Sequence, residues 1–222
     1  MNYFVTGTDT GIGKTLISCA LLHGFAAQGK RVVGMKPVAA GCNADELHGD
    51  VMKLRAAGNV TVSDNLINPY CFLPAIAPHI AAQHAGVEIL ISRIAESYQA
   101  LAAQADVVIV EGAGGFCVPL NESQDSADLV RELGLDIILV VGMRLGCLNH
   151  ALLTVEAIAA RGLTLAGWVA NVIEADMMMC EQNIAALQQR IAAPLLGVVP
   201  YFQAVDARVA AERLNLTLLQ GR

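Results

Sequence analysis

The chain holds 222 residues, of which 55% are hydrophobic and only 15% charged, with a net charge of −6. Its lysines and arginines are scattered rather than clustered, which argues against nucleic acid as a partner. No basic-plus-apolar leader precedes Tyr3 and no apolar run reaches about eighteen residues, so neither secretion nor membrane spanning is expected, and the cytoplasm is the expected compartment.

In chain order, Tyr3-Phe4-Val5 is a short apolar strand that runs into Gly7-Thr8-Asp9-Thr10-Gly11-Ile12-Gly13-Lys14-Thr15, and Leu16 to Ala27 reads as a helix. Strand, glycine-rich turn, Gly-Lys-Thr and helix together form the context of a phosphate-binding loop. Glycines let backbone N–H groups turn around phosphate oxygens, and the helix start adds unpaired donors and the positive end of its dipole. Lys14 is expected on the β- and γ-phosphates and the Thr15 hydroxyl on Mg²⁺. Thr8 stands where the first glycine of the common motif would be, so a glycine-rich turn followed by a coincidental Lys-Thr is the competing reading.

Val32 to Met35 is a second strand, ending at Lys36-Pro37. Val38 to Asp50 is expected to be loop and Leu66 to Phe72 extended. Val87 to Gln104 is a helix with Leu90, Ile94, Tyr98 and Leu101 on one stripe. Val107 to Val110 is a buried strand leading to Glu111-Gly112-Ala113-Gly114-Gly115. Helices are expected at Asp125 to Leu133, Asn149 to Arg161 and Met177 to Ile191, and strands at Ile137 to Val141, Leu165 to Val172 and Leu195 to Val199. Apolar strands alternating with helices predict one α/β domain, with a mostly parallel sheet covered by helices on both faces. The high apolar content fits either a bulky core or burial between subunits. Six cysteines (19, 42, 71, 117, 147, 180) include no C-x-x-C pair and read as reduced, mostly buried thiols rather than a disulfide frame or zinc site.

Ligands of such sheets gather at the carboxyl ends of strands, where this sequence places Gly7 to Gly13, Lys36, Glu111 and Asn171. Glu111 is a candidate Mg²⁺-side carboxylate, since a hard cation bridging phosphates takes oxygen ligands. Asp50 is either a second such carboxylate or the N-cap of a helix beginning near Val51. Lys36 is either an exposed strand-end lysine or a group that stabilises charge moving in phosphoryl transfer. His79, His150 and Met177 to Met179 read as cap and packing residues.

Thr8-Asp9-Thr10 with Gly13-Lys14-Thr15, Lys36-Pro37-Val38, Glu111 to Gly115, Leu145 to His150 and Gly167 to Asn171, in this order over nearly the whole chain, resemble ATP-dependent dethiobiotin synthetase. The resemblance implies a P-loop NTPase fold and a cytoplasmic homodimer. Its implied activity is to make the ureido ring of dethiobiotin from 7,8-diaminononanoate, CO₂ (or bicarbonate) and ATP, with Mg²⁺. It also implies a nucleotide site of Gly11, Ile12, Gly13, Lys14, Thr15, Asp50, Glu111, Gly112, Ala113, Gly114, Asn171, Pro200, Tyr201 and Phe202. Thr15, Asp50 and Glu111 would gather Mg²⁺, Lys36 would be the catalytic lysine, and Thr10, Ala40 and Asn149 would meet the diamine. In the family the helix that Asn149 is expected to open is offered by the neighbouring subunit, so that its unpaired N–H groups receive the substrate carboxylate. Two positions depart from the pattern. Gly11 stands where members often carry Glu, and Ala40 where a Ser or Thr commonly meets the substrate. Two other readings share the phosphate loop: a ParA-like or MinD-like ATPase switch, and a related amide-forming ligase. Against the switch, Asp9 lies near the place where that pattern wants a lysine.

Overall fold

A computed structural model of the chain describes residues 1–43, 48–203 and 206–219. Eight strands occur among them: β1 Asn2–Gly7, β2 Val32–Met35, β3 Val38–Ala40, β4 Tyr70–Phe72, β5 Val107–Glu111, β6 Asp136–Met143, β7 Leu165–Val172 and β8 Leu195–Val199. The helices are α1 Lys14–Ala27, α2 Gly49–Ala57, α3 Asp64–Ile67, α4 Pro78–His84, α5 Ile91–Ala102, α6 Ser126–Leu133, α7 Cys147–Ala160, α8 Cys180–Gln188 and α9 Ala207–Ala211, followed by a 3₁₀ turn at Leu216–Leu219. Six strands form one parallel sheet in the order β2-β5-β1-β6-β7-β8.

The strands are apolar throughout because both faces are covered, and alternation along each strand sorts side chains between the faces. Tyr3, Val5, Val32, Val107, Ile109, Ile138 and Val140 pack with Ile17, Leu21 and Phe25 of α1, Leu54 and Ala57 of α2 and Ala210 of α9. Phe4, Val33, Met35, Val108 and Val110 face the other way, against Ala81, Ile94, Leu101, Leu129 and Val130 of α4, α5 and α6. Further along that second face, Leu139, Val141 and Trp168 meet Cys147 and Ala151 of α7 and Leu187 of α8. Each Val, Leu, Ile, Phe or Met side chain this fully buried contributes about 1.5–3 kcal/mol relative to exposure.

Strand order reverses at β1, with β5 and β2 on one side and β6 to β8 on the other. A crevice opens outside the carboxyl ends at such a switch point. The loop after β1 lies there.

Several expected boundaries move. The expected loop after Pro37 begins with a strand, β3, which pairs in parallel with β4 in a small second sheet; residues 44–47 of that stretch lie outside the described ones. The expected extended run from Leu66 divides into the end of α3 and β4. The helix expected from Val87 starts at Ile91, and Pro78 begins a separate seven-residue helix that places His79 inside its first turn. The helix expected from Met177 starts at Cys180. The cysteine expectation is overturned in part. Pairing of β3 with β4 sets Ala39 beside Cys71, and Cys42, two residues past β3, is disulfide-bonded to Cys71. A separation of 29 residues gave no hint of that contact. Cys19 and Cys147 are buried thiols, Cys180 is half-buried, and Cys117 is exposed.

Candidate active site

β1 delivers the chain to Gly7, and the Thr8 N–H donates to the Val140 carbonyl on β6 at 3.1 Å, so the loop starts tied to the sheet. At its far end Gly13 has φ +89°, a left-handed conformation that glycine adopts without strain. A Cβ there would collide with the Asn171 amide. That amide donates to the Ile12 carbonyl at 2.7 Å, so β7 braces the loop from beneath. Gly13 is also the N-cap of α1 and brings no side-chain acceptor, so the first N–H groups of α1 stay available to an anion.

Lys14 is 7% exposed, and its Nζ donates to the Asp9 carbonyl at 2.7 Å. Burial, and then repulsion from Lys36, pull its pKa down from 10.5 to about 8 against the attraction of Glu111, Asp50 and Asp9. An ammonium so placed gains on meeting a triphosphate.

Facing it, Lys36 Nζ lies 2.6 Å from Glu111 Oε1, 3.4 Å from Asp50 Oδ2 and 3.3 Å from the Gly112 carbonyl. Its backbone is pinned on both sides, by its own N–H to the Ile67 carbonyl and by Asn68 Nδ2 to its carbonyl. Burial alone would lower the Lys36 pKa, but Glu111 and Asp50 outweigh it and hold it above the ordinary lysine value. Burial raises the Asp50 pKa, but Lys36, the Thr15 hydroxyl and His48 together outweigh it, so it ends below the usual carboxylate value. The Thr15 hydroxyl donates to Glu111 Oε1 at 2.9 Å. Glu111 Oε2 is buried without a hydrogen-bond partner among the described residues.

The whole length of the chain has counterparts among known proteins. Residues 1–209 match the family model described as an AAA domain. A protein of Nitrosospira multiformis, named ATP-dependent dethiobiotin synthetase BioD, is 57% identical over 214 residues, covering 96% of this chain and 94% of its own. One of the same name from Aromatoleum aromaticum is 56% identical, covering 96% of each. The chain belongs to the ATP-dependent dethiobiotin synthetase family. Solved structures share its fold at low identity. They include the MinC:MinD cell division protein complex of Aquifex aeolicus (TM-score 0.57, 12% identity, 98% of this chain and 92% of that one). A second is the septum site-determining protein MinD of Pyrococcus horikoshii with Mg-ADP (TM-score 0.53, 17% identity, 100% and 90%).

In this member of the family, a cleft of about 920 Å³ gathers most of the predicted residues. Thr10, Gly11, Gly13, Lys14, Thr15, Lys36, Asp50, Glu111, Gly114, Asn171, Pro200, Tyr201 and Phe202 all line it. Five predicted nucleotide or substrate residues stand elsewhere. Ile12 is buried beneath the loop. Gly112 and Ala113 line a small void with Pro37 and Val38. Ala40 ends β3, paired with Phe72. Asn149 is exposed and off the cleft, and it does not open its helix. Gly146, with φ +92°, caps α7, and Asn149 is the third residue within it. Asp50 is likewise inside α2 rather than its cap, because the His48 ring accepts the Asp50 N–H at 3.1 Å.

The cleft residues that escaped the sequence reading include the basic side chains His23, Lys53 and Arg208. His23 was findable, since Thr15, Cys19 and His23 recur every four residues on one face of α1. Lys53 follows Asp50 at the same kind of spacing, three residues on.

Among the described residues no group of three or more His, Cys, Asp or Glu is arranged to hold a metal ion. The oxygen set of Thr15, Asp50 and the unpartnered Glu111 Oε2 nevertheless suits a hard cation that brings phosphate oxygens of its own.

Proposed function

We propose that this chain closes the ureido ring of dethiobiotin, joining 7,8-diaminononanoate and CO₂ at the expense of ATP. The observation that carries the reading is Lys36. A cation that closes β2 is held against Glu111 across the same cleft as the phosphate-loop Lys14. Residues 11–15, Glu111 and Gly114 would hold the triphosphate, Asn171 with Pro200 to Phe202 would border the adenine, and Ile12, Gly112 and Ala113 would support the site from behind. Thr15, Asp50 and Glu111 would hold Mg²⁺, which when bound supplies charge neutralisation at the phosphates.

The chemistry sets the demands on these side chains. An alkyl amine with a pKa of about 10 costs about 4 kcal/mol to deprotonate at pH 7. The second ammonium of the diamine, together with Lys14 and Lys36, favours the neutral form by like-charge repulsion. The neutral nitrogen attacks CO₂ and loses a proton, giving a carbamate. A carbamate oxygen attacks the γ-phosphorus, the bond to ADP breaks, and a carbamic-phosphoric anhydride results. The other amine then attacks its carbonyl carbon, expelling phosphate and losing a proton to close the ring. Lys14 and Lys36 meet the charge that moves from carbamate to leaving oxygen. The mechanism needs no nucleophile from the chain.

The working unit is a homodimer in the cytoplasm. Among the described residues no helix is long and apolar enough to cross a membrane. Leu145 (96% exposed) and Leu153 (56%) leave apolar surface beside the start of α7, which has no side-chain cap. That helix, with Asn149 in its first turn, would take the substrate carboxylate bound in the neighbouring subunit, while Thr10 and the Ala40 backbone face the diamine. The reading is tested by ADP release, expected only when both bicarbonate and the diamine are present. Release independent of the diamine, or stimulated by DNA or vesicles, would favour a nucleotide switch. Mixing the inactive Lys36→Gln variant with one altered at Asn149 and His150 should restore activity in mixed dimers. Confirmed mixed dimers that stay inactive would place the whole site in one chain.

A further inference from the structure

Arg144 follows β6 directly, as Lys36 follows β2, and neither the phosphates nor the diamine need it in the reading above. Its guanidinium is ion-paired with Asp9 Oδ2 in the phosphate loop, 135 residues away in sequence. Asp9 uses its other carboxylate oxygen to accept the Thr10 N–H at 2.7 Å. The Asp9 carbonyl, in turn, accepts Lys14 Nζ. The Thr10 N–H, then Arg144, hold the Asp9 carboxyl below its usual range. The three bonds form a chain from the end of β6 through one residue to the ammonium that meets ATP. The Arg144 carbonyl also accepts the Cys147 N–H at 3.0 Å, in the turn that starts α7.

The pair is half-exposed, at 33% for Arg144 and 45% for Asp9. Exposed pairs add little to folding stability, so stability gives no reason for its place on the phosphate loop. Geometry does. Asp9 lies between the Thr8 tie to β6 and the Asn171 tie at Ile12, and among the described residues Arg144 is the one side chain from outside the loop that hydrogen-bonds to that middle stretch, whose other side-chain bonds, to Thr10 and from Lys14, stay within the loop. Without Arg144 the Asp9 side chain keeps only its bond within the loop, and the carbonyl that directs Lys14 loses its tie to the end of β6.

We propose that Arg144 is a positioning residue for phosphoryl transfer, acting through Asp9 to hold Lys14 on the line of the γ-phosphate. The proposal rests on the synthetase reading. A displacement of about 1 Å in such a group can cost on the order of 100-fold in rate.

The test is steady-state ADP release by the full chain with diaminononanoate, bicarbonate and MgATP, alongside thermal melting. The parent is run first; a parent that does not turn over would overturn the synthetase reading, and with it the role of Arg144. With an active parent, Arg144→Ala should lower kcat/KM for ATP about 10- to 100-fold, leaving the diamine KM within about threefold and the melting temperature within about 3 °C. Arg144→Lys keeps a cation near Asp9 and should recover to within about threefold of the parent. Asp9→Asn should resemble Arg144→Ala, and the double variant should be no worse than the poorer single one, because one brace can be lost only once. Parental turnover in Arg144→Ala, multiplying losses in the double variant, or losses that follow melting temperature would each overturn the proposal.

Discussion

Two ion pairs end two neighbouring stretches of the sheet, and they join similar groups in opposite surroundings. Lys36 and Glu111 meet at 2.6 Å with side chains 6% and 1% exposed. Arg144 and Asp9 meet near solvent, at 33% and 45%. Desolvating both members of the first pair is expensive, and only close geometry with further bonds from Thr15, Asp50 and Gly112 offsets it. The second pair costs little to form and contributes little to folding. Fold and chemistry are therefore entangled at Lys36 and separable at Arg144. A buried charge pair at a strand end concentrates field where phosphate charge moves, whereas an exposed one can only aim another group.

The largest effect should separate the two buried lysines. Lys36 has carboxylate partners, whereas Lys14 Nζ has, among the described residues, only the Asp9 carbonyl. Removing either should cut turnover by about two or more orders of magnitude. Lys36→Gln also strands Glu111, a loss of about 3–5 kcal/mol when a buried pair is broken, and should melt far below the parent. Lys14→Met should melt at or above it. The Lys14 pKa falls from 10.5 to about 8 on folding. Since the unfolded chain binds the proton more tightly, burial costs about 3 kcal/mol at pH 7. That cost is present below pH 8 and is relieved as pH rises from 8 toward 10.5, so the parent should gain on Lys14→Met, closing the gap between their melting temperatures in alkali. A Lys14→Met chain that melts well below the parent at pH 7 would remove the contrast between the lysines.

Glu111→Gln sits between these cases. It keeps the shape of the side chain and one acceptor oxygen but leaves Lys36, among the described residues, only Asp50 as a charged partner. Turnover should fall, and the Mg²⁺ concentration needed for half-activity should rise about tenfold or more, if Glu111 Oε2 is a metal oxygen. A variant that titrates with Mg²⁺ like the parent would leave Glu111 with Lys36 alone.

The site was legible in the sequence where a local pattern carries it. Gly13-Lys14-Thr15 after an apolar strand, and Lys36 and Glu111 at strand ends, needed only the rule that parallel sheets bind at their carboxyl edge. β7 and β8 have the expected bounds, β8 because its apolar run ends at Pro200. What escaped depends on contacts between distant segments. β3 and β4 are three residues each and exist through their mutual pairing, and Cys42 finds Cys71 only because of it. α7 begins earlier than expected because Gly146 caps it with backbone conformation, which leaves no side-chain signal. Arg144 had a signal that was passed over: like Lys36, it is a cation closing an apolar strand.

The smallest expected effect concerns the base. Guanine sites of the usual kind carry Asn-Lys-x-Asp, and the corresponding run here is Asn171-Val172-Ile173-Glu174. It lacks the lysine whose stem packs on the base. One N–H of the Asn171 amide is engaged by the Ile12 carbonyl, which fixes the plane of the amide and leaves its oxygen as an acceptor to offer a nucleotide. Adenine presents an amino donor where guanine presents a carbonyl acceptor, so the acceptor suits adenine and opposes guanine. One such hydrogen bond contributes about 0.5–1.5 kcal/mol net, a preference for ATP over GTP of roughly 2- to 13-fold. Turnover compared at equal, subsaturating concentrations of the two nucleotides measures it. Unlike Lys36→Gln, Asn171→Ala should erase this preference through both base contact and loop support. Its loss of turnover should therefore exceed the lost preference. GTP used as well as ATP by the parent would leave Asn171 as a brace of the phosphate loop and nothing more.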